Sequence, residues 1–201
     1  MTRPRRAPPL DRAARRRSII TAVTPLLVAR GAGVTTRELA EAAGVAEGTL
    51  FTVFEDKRSL LLATIEERLD PGPLRAGLAR LAELPGLERK LLAVAGEVVP
   101  RLDEVHGLAV ALHAVAGRGR PRSFGGPTYM RDWLAEVAAA VRDLLEPHAA
   151  ELRVSPALFA RLFTTQLFAS RLPHAAPEDW PTPEELVTFC LRGALAPEKE
   201  R

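Results

Sequence analysis

The sequence predicts an all-α protein with a small N-terminal helical domain and a larger helical domain behind it. Ala, Leu, Arg and Glu dominate the 201 residues, aromatic residues make up only 5%, and no long alternation of β-branched and polar residues occurs. The dominant residue types favour helices, and apolar residues recur at the helical spacings of three and four. Nine or ten helices are expected.

The first helix is expected to run from about Asp11 to Gly31. Its buried stripe repeats at helical spacing and contains Ile19, Ala22, Val23, Leu26 and Leu27. Pro25 lies inside the helix, where it removes one backbone hydrogen bond and is expected to produce a kink.

Residues 31–57 predict two short helices joined by a tight turn. Thr35 and Glu38 match the S/T-x-x-E capping box at a helix start. Gly44 stands where that helix must end in a left-handed conformation, and a second helix is expected over about 47–54. Two helices that cross at a glycine turn form a helix-turn-helix unit, whose second helix enters the major groove of DNA. The alternative is a helical hairpin that serves only packing.

Positive charge is concentrated in the same part of the chain. Residues 1–58 contain eleven Arg and Lys against six Asp and Glu, a net charge of +5, whereas the rest of the chain carries −2. A basic segment on a near-neutral body is typical of a phosphate-binding module. Residues 1–10, with three arginines among prolines, are expected to form a flexible basic arm. Such an arm either follows the DNA backbone or minor groove or is simply disordered.

This N-terminal stretch resembles the DNA-binding domain of the tetracycline-repressor (TetR/AcrR) family. The likeness extends from Ile19 to Leu69 and is carried by TTRELAEAAGV at 35–45, GTLF at 48–51, Phe54 and DK at 56–57. The resemblance implies an all-helical homodimer that regulates transcription, usually as a repressor. It also implies release from DNA when a small-molecule effector binds.

The resemblance places the DNA contacts on and beside the two short helices. Most of the family's phosphate contacts are matched, and Arg37 matches a position that can reach a base edge. Phe51 and Val53 stand where the family usually has Tyr or His, and neither side chain can donate a hydrogen bond. An alternative is therefore a helical small-molecule or lipid-binding protein of the same fold with weakened DNA recognition. The expected DNA-binding residues are Thr36, Arg37, Glu47, Gly48, Thr49, Phe51, Thr52, Val53 and Lys57.

Residues 11–56 are assigned to the helix-turn-helix domain and residues 57–197 to a ligand-binding and dimerisation domain. Asp56 is the expected N-cap of helix 4, and the break at Pro71-Gly72-Pro73 after that helix is also expected to mark a domain boundary. A Gly- and Pro-rich loop is predicted over 117–127. Further helices are predicted over 74–84, 87–116 with a kink or join at Pro100, 128–145, 156–172 and 183–195.

The last two helices carry more apolar surface than one core requires. A helix that is apolar nearly all round is buried on two sides. The resemblance implies that these helices pair with their copies in a four-helix dimer interface, and a two-fold dimer suits a palindromic operator. The alternative is that the apolar surface belongs only to the intramolecular core. The expected interface residues are Leu158, Leu162, Leu186, Phe189, Cys190 and Gly193.

The middle helices are expected to enclose a pocket for an apolar or amphipathic effector, since small-molecule sites have apolar walls with a few polar groups. His106 and His113 lie two helical turns apart and lack a third partner, so no metal site is expected. The expected lining residues are Val98, Leu102, Val105, His106, Ala109, His113, Tyr129, Trp133, Val137, Phe163 and Gln166.

Enzymatic and membrane functions are not indicated by the sequence. No nucleophile, base and acid can be nominated together, and no glycine-rich phosphate loop follows a strand. No run of eighteen apolar residues predicts a membrane span, and the basic N-terminus lacks the apolar region of a signal peptide. The single cysteine, Cys190, excludes an internal disulfide. We therefore expect a cytoplasmic, non-enzymatic protein without a cofactor.

Overall fold

The computed structural model describes residues 11–116, 126–171 and 179–194. Nine α-helices lie within these residues, so the all-α prediction is confirmed. The basic arm predicted over 1–10, and most of the loop predicted over 117–127, lie outside the described residues. The helices are α1 (Arg12–Arg30), α2 (Thr36–Ala42), α3 (Glu47–Val53), α4 (Lys57–Arg68), α5 (Pro71–Arg80), α6 (Leu87–Ala116), α7 (Gly126–Leu145), α8 (Pro156–Ala169) and α9 (Pro183–Ala194).

Contacts within the chain define two compact units. Among the described residues, the first contains 11–67 and 107–116, and the second contains 68–106, 126–171 and 179–194. The described part of the first unit therefore includes α1 to α3, nearly all of α4 and the end of α6. The division falls at the last turn of α4, between the boundary predicted at residues 56 and 57 and the one predicted at Pro71-Gly72-Pro73.

The core of the first unit is built from one apolar face of each of its helices. α1 contributes Ile19, Val23 and Leu27 of its predicted stripe and also Ile20, whereas Ala22 and Leu26 are only half-buried. α2 and α3 add the few large apolar residues that their seven-residue lengths allow. Burial of a Leu, Ile or Phe side chain stabilises a fold by roughly 1.5–3 kcal/mol, so this small core holds the two short helices in place. Its residues include Ile19, Ile20, Val23, Leu27, Leu39, Leu50, Phe54, Leu60 and Leu61.

α5 begins three residues earlier than predicted. Asp70 is its N-cap, and the Oδ1 atom of Asp70 accepts a hydrogen bond from the Gly72 amide at 2.9 Å. Pro71 then occupies the first helical position, where a missing N–H costs nothing. The Pro-Gly-Pro sequence is thus the first turn of a helix, and the predicted start at Leu74 was wrong.

The second unit is organised around α7, which packs against both α5 and α8. Trp133, Val137 and Val141 of α7 are all buried. A charged contact adds to this packing, because Arg171, two residues after the end of α8, lies 2.8 Å from a carboxylate oxygen of Asp103 on α6. The guanidinium of Arg171 also lies 5.2 Å from the ring centre of Trp180. The segment that leads into α9 is therefore attached to α6.

Candidate nucleic-acid interface

The start of α2 is fixed by a complete capping box. The Thr35 hydroxyl accepts a hydrogen bond from the Glu38 amide at 3.3 Å, and the Glu38 carboxylate accepts one from the Thr35 amide at 2.8 Å. Arg30 donates a further hydrogen bond to Glu38 at 2.8 Å. The backbone hydrogen bond from Thr35, and then the one from Arg30, lower the pKa of Glu38 from 4.5 to about 2. The sequence-predicted cap is thus confirmed.

The turn between α2 and α3 depends on Gly44. Its φ is +64°, in the left-handed region that side chains with a Cβ rarely adopt. The next amide, that of Val45, donates to the Ala40 carbonyl at 3.0 Å and closes the C-terminus of α2. A Cβ built on Gly44 would meet no atom within 4 Å, so the constraint is the backbone conformation rather than space.

α3 turns one face inward and leaves the other open. Leu50 and Phe54 are buried, whereas Phe51 is 44% exposed. The other members of the predicted DNA-binding set on α3 are exposed or half-buried: Glu47, Gly48, Thr49, Thr52 and Val53. The outward face of α3 therefore combines Gly48 and two threonines with the Glu47 carboxylate, the aliphatic Val53 and one exposed aromatic ring.

Two polar contacts link exposed side chains of α2 and α3. The Thr36 hydroxyl donates to the Glu47 carboxylate at 2.5 Å and links the first turns of the two helices. Arg37 donates to Glu41 at 3.0 Å, and 82% of its side chain is exposed. Exposed ion pairs of this kind contribute at most about 1 kcal/mol. Arg37 can therefore leave Glu41 for another acceptor at little cost.

Lys57 has a structural role that its sequence position did not predict. Its ammonium donates to the carbonyl oxygen of Ala32 at 2.7 Å and to that of Val34. Burial lowers the pKa of Lys57, and Glu38 partly opposes this shift. The first turn of α4 is thereby attached to the loop before α2. Because an ammonium has three N–H groups, one donor remains for an external acceptor.

Arginines at the start of α1 lie beside the end of α3. Arg12 and Arg15 line a cavity of about 370 Å³ together with Thr52 and Val53. Arg16, on the same side of α1, lies over the Phe54 ring at 5.5 Å from its centre. The sequence signalled only a general excess of positive charge here, so these arginines were absent from the predicted site.

Comparison with known proteins shows which family of regulators this helix-turn-helix unit resembles. Residues 19–64 match the family model described as bacterial regulatory proteins of the tetR family. Solved structures of TetR-family regulators match nearly the whole chain. Residues 19–64 are therefore similar to the DNA-binding domain of the TetR/AcrR family. None of the curated protein sequences is similar enough to count as a match.

The solved structures of TetR-like regulators extend the likeness beyond the N-terminal unit. A TetR transcriptional regulator from Streptomyces coelicolor is 23% identical, with a TM-score of 0.63 over 90% of this chain and 99% of its own. A putative TetR-family regulator from Mesorhizobium loti is 18% identical, with a TM-score of 0.60 over 94% and 100%. FadR from Bacillus subtilis, solved in complex with stearoyl-CoA, is 16% identical, with a TM-score of 0.54 over 88% and 95%. At these identities the likeness shows a shared fold.

The residues predicted to line the effector pocket lie in different surroundings. His106 is half-buried in the second unit, and its ring stands nearly perpendicular to that of Trp180, with 5.4 Å between the ring centres. Ala109 and His113 belong to the first unit, where the Nδ1 atom of His113 donates to the Ala109 carbonyl at 2.7 Å. Gln166 is exposed, and the side chain of Tyr129 lies outside the described residues. The remaining six are buried in the second unit: Val98, Leu102, Val105, Trp133, Val137 and Phe163.

An open apolar groove of about 800 Å³ lies between α8 and α9. Of the predicted interface residues, Leu162 and Phe189 are the most exposed, at 56% and 68%. Leu158 and Cys190 are half-buried, and burial raises the pKa of the Cys190 thiol. Leu186 is buried within the protomer. The predicted sixth residue, Gly193, lies beyond the side chains that the structure describes.

The described part of the chain contains neither a metal-binding cluster nor a membrane-spanning helix. Over residues 11–116, 126–171 and 179–194, no group of three His, Cys, Asp or Glu side chains is arranged to hold a metal ion. No described helix is both long and apolar enough to cross a membrane.

Proposed function

We propose that this protein is a transcriptional repressor that binds a palindromic operator as a homodimer and leaves it when an apolar or amphipathic small molecule binds. The observation that carries this proposal is the outward face of α3 on a fixed helix-turn-helix, with the basic start of α1 beside it. We place its action in the cytoplasm, where operator DNA is accessible.

The proposed DNA contacts divide into positioning and base-reading groups. The major groove is about 12 Å wide and admits an α-helix, and the open space around the Gly48 Cβ position allows the α3 backbone to approach it closely. Thr49 and the third N–H of Lys57 contact phosphate and set the register, and Thr36 joins them once its hydroxyl turns away from Glu47. Arg37 reaches a guanine edge, where a bidentate contact contributes about 1–3 kcal/mol of discrimination.

Dimerisation is proposed to occur through the groove between α8 and α9. Exposed Leu162 and Phe189 line this groove, and large apolar side chains at 56% and 68% exposure gain free energy when a second copy covers them. Two copies related by a two-fold axis present two α3 helices, which suits a palindrome.

The proposed effector site lies in the core of the second unit, near Trp133. The indole Nε1 of Trp133 and the hydroxyl of Thr164 are buried without a hydrogen-bond partner among the described residues. Buried polar atoms normally have a hydrogen-bond partner. An effector with a carbonyl or carboxylate oxygen would accept a hydrogen bond from one of these two donors. The stearoyl-CoA in the FadR structure supports a long apolar class of effector.

Two experiments test the proposal. Selection of duplexes from a random library with the purified protein should enrich a palindrome, and Arg37→Ala should enrich a more degenerate one. Failure of the folded wild type to enrich any sequence would refute the proposed function as a transcriptional regulator.

For the effector, Trp133→Phe keeps most of the packing but removes the N–H. It should weaken binding of a carboxylate-bearing effector about tenfold, equivalent to about 1.4 kcal/mol, and leave operator affinity unchanged.

A second candidate function rests on Phe51 and Val53. An exposed aromatic ring and an aliphatic side chain occupy the face that should meet phosphate, which favours a ligand carrier that has lost DNA recognition. The double change Phe51→Tyr and Val53→His adds two donors per subunit. Sequence-selective binding by this variant alone would favour the carrier, whereas selective binding by the wild type favours the repressor.

A further inference from the structure

The cavity between the start of α1 and the end of α3 has the composition of an anion site. Arg12 and Arg15 line it from α1, and Thr52 and Val53 line it from α3. Both arginines are exposed. Among the described residues, neither is paired with a carboxylate. Two guanidinium groups thus stand beside an open cavity without a charge partner from the described chain.

The local structure holds these arginines in place. Residues three and four apart share one face of a helix, so Arg12, Arg15 and Arg16 point to the same side of α1. Arg16 is anchored over the Phe54 ring at 5.5 Å and lies 3.9 Å from Glu66. Asp11 caps the helix by accepting from the Ala14 amide at 2.6 Å. The start of α1 is therefore fixed against α3 and α4, which directs Arg12 and Arg15 to the cavity.

We infer that this cavity binds a phosphate group through the guanidinium groups of Arg12 and Arg15. Guanidinium donors form bidentate, charge-assisted hydrogen bonds with phosphate oxygens. The Thr52 hydroxyl already donates to the Gly48 carbonyl at 2.9 Å, and Val53 has no donor, so the arginines supply the binding.

The phosphate is assigned to the DNA backbone at the C-terminal end of α3, and in this respect the inference rests on the proposed function. Because neither Phe51 nor Val53 can donate a hydrogen bond, α3 makes few backbone contacts of its own at this end. Arg12 and Arg15 replace them from the neighbouring helix. Free phosphate presents the same oxygens, so the experiment must separate the two sources.

The experiment compares three single variants, Arg12→Ala, Arg15→Ala and Arg17→Ala. Arg17 is the matched control, because it is an exposed arginine on the same helix that does not line the cavity. Each variant is checked by thermal unfolding and then titrated into a fluorescein-labelled mixed-sequence duplex between about 50 and 200 mM salt. The slope of log affinity against log salt should flatten by about 0.9 for each phosphate that Arg12→Ala or Arg15→Ala no longer neutralises. Arg17→Ala should retain the wild-type slope.

A calorimetric titration with inorganic phosphate at constant ionic strength separates the sources. An altered salt slope at Arg12 and Arg15 identifies the DNA backbone. Loss of inorganic phosphate binding in these variants, with an unchanged slope, identifies a free phosphate instead. If the wild type bound inorganic phosphate but no duplex, the proposed function as a DNA-binding regulator would be refuted, whereas the phosphate site would be supported. Equal behaviour of all three variants in both titrations would overturn the inference.

Discussion

Phe189 offers a direct test of the proposed dimer, because its exposure in the protomer separates assembly from folding. The residue lies on α9 and is 68% exposed, and Leu162 on α8 lines the same groove. A substitution at Phe189 therefore removes little from the protomer core. Any large effect must come from a surface that covers the ring in the assembly.

The size of the effect follows from the exposed fraction. Full burial of a Phe side chain stabilises by roughly 1.5–3 kcal/mol, so covering the exposed two-thirds contributes about 1–2 kcal/mol per copy. A two-fold interface contains the residue twice, which gives about 2–4 kcal/mol per dimer. Phe189→Ala should then raise the dimer dissociation constant about 30- to 700-fold. Phe189→Glu should raise it further, since an unpaired buried carboxylate costs several kcal/mol.

Sedimentation velocity at micromolar concentration measures the result, and far-UV circular dichroism checks the fold. Val110→Glu is the matched control, because Val110 is a 56% exposed apolar residue on α6, outside the groove. Leu186→Glu should instead unfold the protomer, since Leu186 is only 7% exposed. A Phe189→Glu protein that stays dimeric, while folded like the wild type, would place the interface elsewhere.

Two further predictions concern the helix-turn-helix unit. Lys57→Ala removes two hydrogen bonds from a charged donor, each contributing about 1.5–3 kcal/mol when buried and less at this half-buried site, so the midpoint of urea unfolding should fall. An unchanged midpoint would show that Lys57 does not stabilise the fold, and its proposed contact with DNA would then be its remaining role. The Glu38 carboxyl, with its pKa lowered from 4.5 to about 2, stabilises the fold fully above pH 4.5, and this stabilisation is lost as the pH falls through about 2. Glu38→Gln should lack this acid-dependent loss of ellipticity, and an acid titration identical to that of the wild type would contradict the assignment.

The helix-turn-helix unit was predictable because its geometry is set by neighbours in the sequence. The capping box joins residues three apart, and the turn requires one glycine with positive φ. Both signals are readable without knowledge of the rest of the fold. The start of α5 was missed although it is also local, because Pro-Gly-Pro was interpreted as a helix break rather than as a first turn capped by Asp70.

The roles that escaped prediction depend on contacts between residues distant in the sequence. Lys57 bonds to carbonyls that lie 25 and 23 residues earlier, and Arg16 lies over Phe54. No spacing rule connects such pairs, because the packing of α1 against α3 and α4 determines them. Charge composition indicated that this region is basic, but only the fold distinguishes an anchored arginine from those that line a cavity.

The prediction of the last two helices was limited in the same way, because it depended on which apolar residues pack in the core. α8 and α9 are rich in Leu and Phe, so helical periodicity indicated surplus apolar surface without saying which face is surplus. Packing of α7 against α8 buries Phe159, Phe163 and Leu167 and leaves Leu162 exposed. A face that remains exposed after the protomer has folded is the part of an apolar surface available to a partner. The proposed assembly therefore rests on which apolar residues the core leaves uncovered, and Phe189 is the largest of these among the described side chains of α9.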